Sequence, residues 1–196
     1  EYLTGCSRPD RSFGAEKHNT RRHLNEYTSL DLEMGYIDSF LDICGMETGF
    51  LQYTMDLLER EYAKELKILG VKLPETRKIP HVRFSRAKEL AAEKYGRKIR
   101  NPYDLEPEEE ELIGQYFKEE CGADFVFVTH YPSKKRPFYA MDDPEDERFT
   151  LSFDLFVPRT GSDHRWTAYP RLQHADGETG EKGNEPGGNG AVSGHF

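Results

Sequence analysis

The sequence predicts an α+β fold, with antiparallel strands and flanking helices, from three observations. Polar and apolar side chains alternate from His23 to Met34, which is the period of a strand with one buried face. A helical stripe of apolar residues follows from Phe40 to Leu66. The apolar run from Phe125 to Val128 is typical of a strand buried inside a sheet.

The first of these elements is a hairpin between Gly14 and Met34. A short strand ends near Lys17, a polar and basic tip extends from His18 to Arg22, and a long strand returns. Its even positions predict a mostly buried face, whereas its odd positions form a polar row of His23, Asn25, Tyr27, Ser29, Asp31 and Glu33. Such a row of polar side chains below a basic loop either binds a nucleotide or is the solvent-exposed face of an ordinary amphipathic hairpin.

The remaining elements follow from apolar periodicity and from capping residues. Residues 1–14 have little periodicity and are predicted as loop. We predict three helices: Asp38 to about Lys67 with a bend at Gly45 and Gly49, Ser85 to about Tyr95, and Asp104 to Cys121. We also predict three strands: Ile79 to Phe84, Asp124 to His130, and Thr150 to Phe156. A loop is predicted from Met141 to Phe149. Gly96 and Gly122 are predicted to end the two shorter helices.

A second informative stretch runs from Tyr131 to Tyr139, where Lys134, Lys135 and Arg136 stand among aromatic residues and prolines. Basic groups beside aromatic rings suit phosphate, carboxylate or RNA binding, and the same pattern also fits a proline-punctuated loop before an edge strand. The acidic run from Glu108 to Glu111 predicts helix capping rather than metal binding.

Composition limits the classes of function. The formal charge of −9 excludes an overall basic coat, so contact with RNA must come from a local patch such as the hairpin tip. Cys6, Cys44 and Cys121 have no paired spacing, which fits neither a zinc site nor a disulfide framework, and we expect a cytoplasmic location. No apolar run approaches membrane-spanning length. Because Glu1 and not Met stands first, we expect that the native N-terminus lies elsewhere.

The hairpin resembles motif 2 of the class II aminoacyl-tRNA synthetases, since Glu16 precedes a loop and His23, Tyr27 and Asp31 follow at four-residue spacing. Three stretches of the sequence are similar to aspartyl-tRNA synthetases of the archaeal and eukaryotic type, including their bacterial relatives. These stretches are AEKHNTRRHLNEYTSLDLEMG, THYPSKKRPFYAM and SFDLF. The resemblance implies the class II catalytic fold, an antiparallel sheet flanked by helices, which is incomplete in this chain. It also implies ATP-dependent activation of L-aspartate and transfer of the aspartyl group to tRNA(Asp), with tRNA(Asn) as an open second substrate. The intact enzyme is expected to use Mg²⁺, to be a homodimer and to have no membrane contact.

The resemblance also implies the ATP-binding residues. Glu16 would bond the adenine amino group, and Tyr27 would stack on the adenine where the family usually has Phe. Arg22, His23 and Leu24 would line the ATP site, with His23 reaching the terminal phosphates.

Two further sets of residues are implied. Asp31 would support the aspartate pocket, and Lys17, His18 and Arg21 would lie on the loop that approaches the tRNA acceptor end. The family's catalytic Arg is replaced by Gly14, so no catalytic residue is assigned, and no metal ligand of the family is found in the chain.

Both ends of the chain depart from the family. Codons can be chosen for residues 1–14 that spell family-like sequence when read one nucleotide earlier. Codons for residues 158–195 can likewise be chosen that spell it one nucleotide later, including a GGQR element. Our hypothesis is that residues 15–156 are a partial catalytic domain, from motif 2 to before motif 3. Residues 1–14 would be a frame-shifted flank, and residues 157–196 a frame-shifted, disordered tail. With several family residues missing, the chain as given is expected to have no ligase activity.

Two alternatives stay open. A fragment of an asparaginyl-tRNA synthetase shares the fold and much of motif 2. A non-catalytic, nucleotide-binding paralogue would carry Gly14 as a genuine replacement.

Sequencing of the coding DNA tests the frame hypothesis. We expect a one-nucleotide shift near the codon of Gly14 and another near that of Phe156. A verified gene that is continuous in the present frame would contradict the hypothesis and favour the paralogue.

Overall fold

The computed structural model describes residues 5–13, 26–157 and 171–172. These residues form strands, helices and one 3-10 turn in this order: β1 (Gly5–Phe13), β2 (Glu26–Met34), α1 (Phe40–Glu61), α2 (Ala63–Leu69), β3 (His81–Arg83), α3 (Phe84–Tyr95), α4 (Pro107–Cys121), β4 (Val126–Thr129), the 3-10 turn (Ser133–Lys135), β5 (Asp142–Asp143), β6 (Asp146–Thr150), β7 (Phe153–Phe156) and β8 (Arg171–Leu172). The predicted α+β class is confirmed. Among the helices described, none is both long and apolar enough to cross a membrane.

The central sheet has the strand order β3-β4-β7-β8, and β4 is buried along its whole length. β3 runs parallel to β4, whereas β7 pairs with β4 and β8 pairs with β7 in antiparallel register. Val126 and Val128 pack in one core cluster with residues of α3 and α4. Phe125 and Phe127 pack in a second cluster with residues of α1 and β7. The sheet is therefore covered on both faces, as the apolar run predicted.

β1 and β2 pair in antiparallel register, from Gly5 opposite Met34 to Phe13 opposite Glu26. β2 confirms the returning strand of the predicted hairpin. The prediction of a loop for residues 1–14 is wrong for residues 5–13, which form β1. This segment has no alternation of apolar residues and is a strand because its backbone pairs with β2. The strand expected around Ala15 lies outside the described residues. The expected burial of the apolar face is also not seen at Leu30, which is 49% exposed, because the two strands form a sheet of their own.

The first helix differs from its prediction at both ends. Ser39 rather than Asp38 is the N-cap, and a capping box joins it to Asp42. α1 continues through Gly45 and Gly49 and ends before Tyr62. The backbone of Tyr62 is not helical, with φ of −119°, and α2 begins at the next residue. Core contacts on one side of α1 thus outweigh the lower helix propensity of glycine.

The later elements lie near their predicted positions. Gly96 and Gly122 end α3 and α4 in the left-handed conformation, with φ of 65° and 70°, as predicted. The loop predicted from Met141 to Phe149 is instead the short hairpin of β5 and β6. The expected strand from Thr150 narrows to β7, because Thr150 belongs to β6.

A buried ion pair joins α3 to α4. Lys88 Nζ lies 2.5 Å from Glu109 Oε2, and both side chains are almost fully buried. The same carboxyl oxygen accepts the backbone N–H of Glu106 at 2.8 Å and so completes the capping box of α4. One carboxylate therefore fixes both the start of α4 and its position against α3.

We predict that Lys88→Met lowers the free energy of unfolding by about 3–5 kcal/mol, because it leaves the Glu109 charge buried without its partner. Urea denaturation followed by circular dichroism measures the change. Lys94→Met is the matched control, since Lys94 joins the same two helices at the surface through Glu120. Adding Glu109→Gln to Lys88→Met should restore most of the lost stability, and equal effects of the two lysine replacements would contradict the prediction.

Candidate functional site

Two of the residues predicted for the site, Tyr27 and Asp31, lie in β2. They are four residues apart, and the backbone ladder pairs them with Ser12 and Arg8 of β1. The other predicted positions lie outside the described residues: Gly14, Glu16, Lys17, His18, Arg21, Arg22, His23 and Leu24. Their assigned roles stay predictions.

The described polar residues gather where the chain leaves β4. Arg136 in the 131–139 loop donates a hydrogen bond of 2.9 Å to Asp154 of β7, and both side chains are buried. The Arg136 guanidinium carbon lies 3.8 Å from the centre of the Tyr131 ring. Arg136 thus attaches the loop to the central sheet, which leaves Lys134 and Lys135 as its exposed basic residues.

Further hydrogen bonds hold the same loop. Ser133 Oγ lies 2.8 Å from both Asp142 Oδ1 and the carbonyl oxygen of Glu147. The N–H of Thr150 donates to the carbonyl oxygen of Tyr131 at 2.8 Å. The loop is therefore fastened to β5 and β6 as well as to β7, and its exposed side chains start from a rigid backbone.

Two acidic side chains approach each other beneath this loop. Burial raises the pKa of the Glu47 carboxyl to about 7, and the negative charge of Asp154 contributes to the rise. Burial also raises the pKa of the Tyr131 phenol well above its usual range, again with a contribution from Asp154. Glu47 Oε2, Asp154 Oδ1 and the Tyr131 hydroxyl make no hydrogen bond of normal geometry among the described residues.

A second polar cluster surrounds His130, the first residue after β4. Its backbone is left-handed, with φ of 56°, and its N–H donates to the carbonyl oxygen of Ser152. Its ring lies 2.8 Å from Thr129 Oγ1 and 3.7 Å from the buried Asp143 carboxylate, which Arg83 approaches to 3.8 Å. Burial lowers the pKa of His130, and the charge of Arg83 lowers it further while Asp143 opposes the shift. The imidazole is therefore mainly neutral at neutral pH.

A cavity of about 780 Å³ opens beside this second cluster. Phe40 and Ile79 form part of its apolar wall, and Arg77, Arg83 and His130 also line it. The two guanidinium groups are the charges that this cavity presents at neutral pH. Groups of three or more His, Cys, Asp or Glu side chains placed to hold a metal ion do not occur within the described ranges.

The sequence interpretation missed Glu47, Asp154 and Asp143 as members of polar clusters. Signals existed for the first two. Glu47 falls within the helical core stripe of Phe40, Cys44 and Leu51, where an acidic residue is unexpected. Asp154 interrupts an apolar strand in the same way. Asp143 carries no comparable signal, because acidic residues surround it in an ordinary turn sequence.

The chain is similar to known proteins in both sequence and structure. Residues 10–174 match the family model described as tRNA synthetases class II (D, K and N). An aspartate–tRNA(Asp/Asn) ligase from Aeropyrum pernix is 43% identical over 145 residues, which cover 73% of this chain and 33% of that protein. The ligase of the same name from Deinococcus radiodurans is 42% identical over 149 residues, covering 73% and 34%. The chain thus spans about a third of the length of these relatives.

Solved structures are similar over most of the chain. An aspartyl-tRNA synthetase from Entamoeba histolytica superimposes with a TM-score of 0.74 at 26% identity, over 79% of this chain and 32% of that one. An asparaginyl-tRNA synthetase from Pyrococcus horikoshii, complexed with asparaginyl-adenylate, gives a TM-score of 0.68 at 27% identity, over 80% and 35%. Both likenesses cover about four fifths of this chain.

The buried Glu47 predicts a dependence of stability on pH. Its pKa of about 7 in the folded protein exceeds the unfolded value of about 4.3. The stabilising contribution of the protonated carboxyl is therefore fully present below about pH 4.3 and is lost as the pH rises to about 7. We expect Glu47→Gln to abolish this loss, so that the variant gains stability over the parent between pH 5 and pH 8.

Thermal denaturation of both proteins at several pH values measures the difference. Glu59→Gln is the matched control, since Glu59 lies exposed on the same helix and should leave the pH profile unchanged. Parallel profiles of the parent and Glu47→Gln would show that the Glu47 carboxyl is ionised in the folded protein.

Proposed function

The chain belongs to the class II tRNA synthetases (D, K and N), and we propose from this membership that it is part of the catalytic domain of an aspartate–tRNA ligase. The observation that carries the proposal is the 43% identity over 145 residues to an aspartate–tRNA(Asp/Asn) ligase. The intact enzyme would activate L-aspartate with ATP and transfer the aspartyl group to tRNA. The relatives with 40–43% identity are named for both tRNA(Asp) and tRNA(Asn), which favours both as substrates.

In this proposal the motif 2 hairpin binds ATP. Glu16 reads the adenine amino group, Tyr27 stacks on the ring, and Arg22, His23 and Leu24 line the rest of the site. The support is the residue-by-residue resemblance of the hairpin to motif 2. Tyr27 and Asp31 both lie in β2, and Asp31 is assigned to the aspartate pocket.

The proposed chemistry requires no protein nucleophile. Negative charge develops on the α-phosphoryl group as the aspartate carboxylate attacks, so catalysis depends on positioning and on cations aimed at that charge. Gly14 stands where the family places such a cation. The chain as given therefore lacks its principal charge-stabilising group.

The described residues do not supply a Mg²⁺ site. One oxygen of Asp154 is held by Arg136, and a cluster of further ligands is not found in the described ranges. We assign Mg²⁺ to the intact enzyme, together with its homodimeric assembly and cytoplasmic location.

A second candidate is an asparaginyl-tRNA synthetase, which the structural likeness to the Pyrococcus horikoshii enzyme favours. The sequence relatives favour aspartate instead. The third candidate, a non-catalytic paralogue, requires that the gene itself encodes glycine at position 14. The exchange of pyrophosphate into ATP separates all three.

We predict that the full-length gene, with both flanks in the corrected frame, encodes an enzyme with aspartate-dependent exchange of pyrophosphate into ATP. The chain as given should give no detectable exchange. Retaining Gly14 in the otherwise corrected enzyme should lower the rate by about 10²–10³-fold, because one charge-stabilising group is lost.

Tyr53→Ala in the corrected enzyme is the control, since this exposed side chain of α1 lies on no proposed site. Exchange that depends on asparagine instead of aspartate would establish the second candidate. Turnover by the chain as given would contradict the role assigned to the missing cation.

A further inference from the structure

An exposed group of aromatic and basic side chains lies on the rigid loop after β4 and on the segment before α4. We propose that this group, which consists of Tyr103, Lys134, Lys135 and Phe138 and is here named the aromatic–lysine platform, binds the unpaired 3′ end of an RNA. The inference rests on the proposed function, because the RNA would be the tRNA whose acceptor end must reach the catalytic domain. Nothing in the motif 2 resemblance assigns these residues.

Lys134 and Tyr103 bring two separate segments of the chain together. Lys134 Nζ lies 4.8 Å from the centre of the Tyr103 ring and 3.3 Å from its hydroxyl oxygen. The N–H of Tyr103 donates to Asn101 Oδ1 at 3.0 Å, which fixes the backbone that carries the ring. An ammonium group is therefore held over an aromatic ring that is still 39% exposed.

Phe138 projects from a turn at the end of the same loop. The N–H of Ala140 donates to the carbonyl oxygen of Pro137 at 3.0 Å, so Phe138 and Tyr139 occupy the two central turn positions. Phe138 is 79% exposed, and its ring meets that of Tyr139 edge to face at 5.3 Å. Since Arg136 anchors the chain two residues earlier, the exposed ring is presented by an ordered backbone.

The combination of exposed aromatic rings and lysines favours a single-stranded nucleic acid as the ligand. Exposed aromatic rings stack with unpaired bases, and neighbouring lysines attract the phosphates that join them. Lys98 and Arg100 are also exposed on the segment that leads to Tyr103, so further positive charge lies along the same path. A paired RNA stem would offer phosphates but no free base faces, so the platform suits a single strand.

The test uses the chain as it is and two labelled RNA hairpins, one with a four-nucleotide 3′ overhang and one with a blunt end. Fluorescence anisotropy measures binding at several salt concentrations. We expect the parent chain to prefer the overhang and Phe138→Ala to weaken that binding by about 5- to 150-fold. Replacing Lys134 and Lys135 together by Gln should reduce the slope of log affinity against log salt by about 1.4.

Matched controls are Tyr53→Ala, which removes an exposed ring from α1, and the double replacement of Lys64 and Lys72 by Gln, which removes two exposed charges elsewhere. Phe138→Trp in a Trp166→Phe background should retain binding, and its fluorescence should change when the overhang is added. Circular dichroism confirms that each variant is folded.

Equal binding of the two RNAs by the parent, or unchanged binding by the platform variants, would overturn the proposal. Indole fluorescence of the Phe138→Trp variant that responds to vesicles of anionic phospholipid and not to RNA would overturn it too. None of these outcomes touches the exchange of pyrophosphate into ATP, which needs no RNA. Failure of the platform is therefore distinguishable from failure of the proposed ligase.

Discussion

Burial of β4 on both faces is the constraint around which the other elements are arranged. Side chains of β4 and of the preceding Phe125 alternate between two cores, with Val126 and Val128 toward α3 and α4 and Phe125 and Phe127 toward α1. Burial of each such side chain contributes about 1.5–3 kcal/mol, and both sheet neighbours must pair with β4 to satisfy its backbone. The helices therefore have to lie on opposite faces, and both polar clusters form where this strand ends.

Charged groups beneath the loop after β4 determine its shape. The buried pair of Arg136 and Asp154 adds little net stability, since both ions lose hydration, but it admits few alternative geometries. With Arg136 turned inward, Lys134 and Phe138 are left on the outside. The same arrangement places Asp154 close enough to Glu47 to raise the pKa of that carboxyl. One ion pair thus relates the core of the sheet to its proposed RNA-binding surface.

The elements that sequence predicted well are those specified by neighbouring residues. β4 follows from a continuous apolar run, and α3 and α4 end at Gly96 and Gly122, which adopt backbone angles that other residues disfavour. The predictions that failed depended on distant partners. β1 is a strand because β2 pairs with it, and β5 pairs with β6 although an acidic loop was expected there. The apolar periodicity of one segment does not show which distant segment it pairs with.

By itself the sequence determined the family of this protein, because motif 2 is a contiguous arrangement whose residue types and spacing are distinctive. It also determined which segments are helices and which strand is buried, since apolar periodicity reports directly on exposure to water. Only the tertiary structure decided that Arg136 is a buried anchor while its neighbours stay exposed, and that Glu47 lies in the core beside Asp154. Those outcomes arise from contacts between residues far apart in the chain, where burial and charge are set by packing.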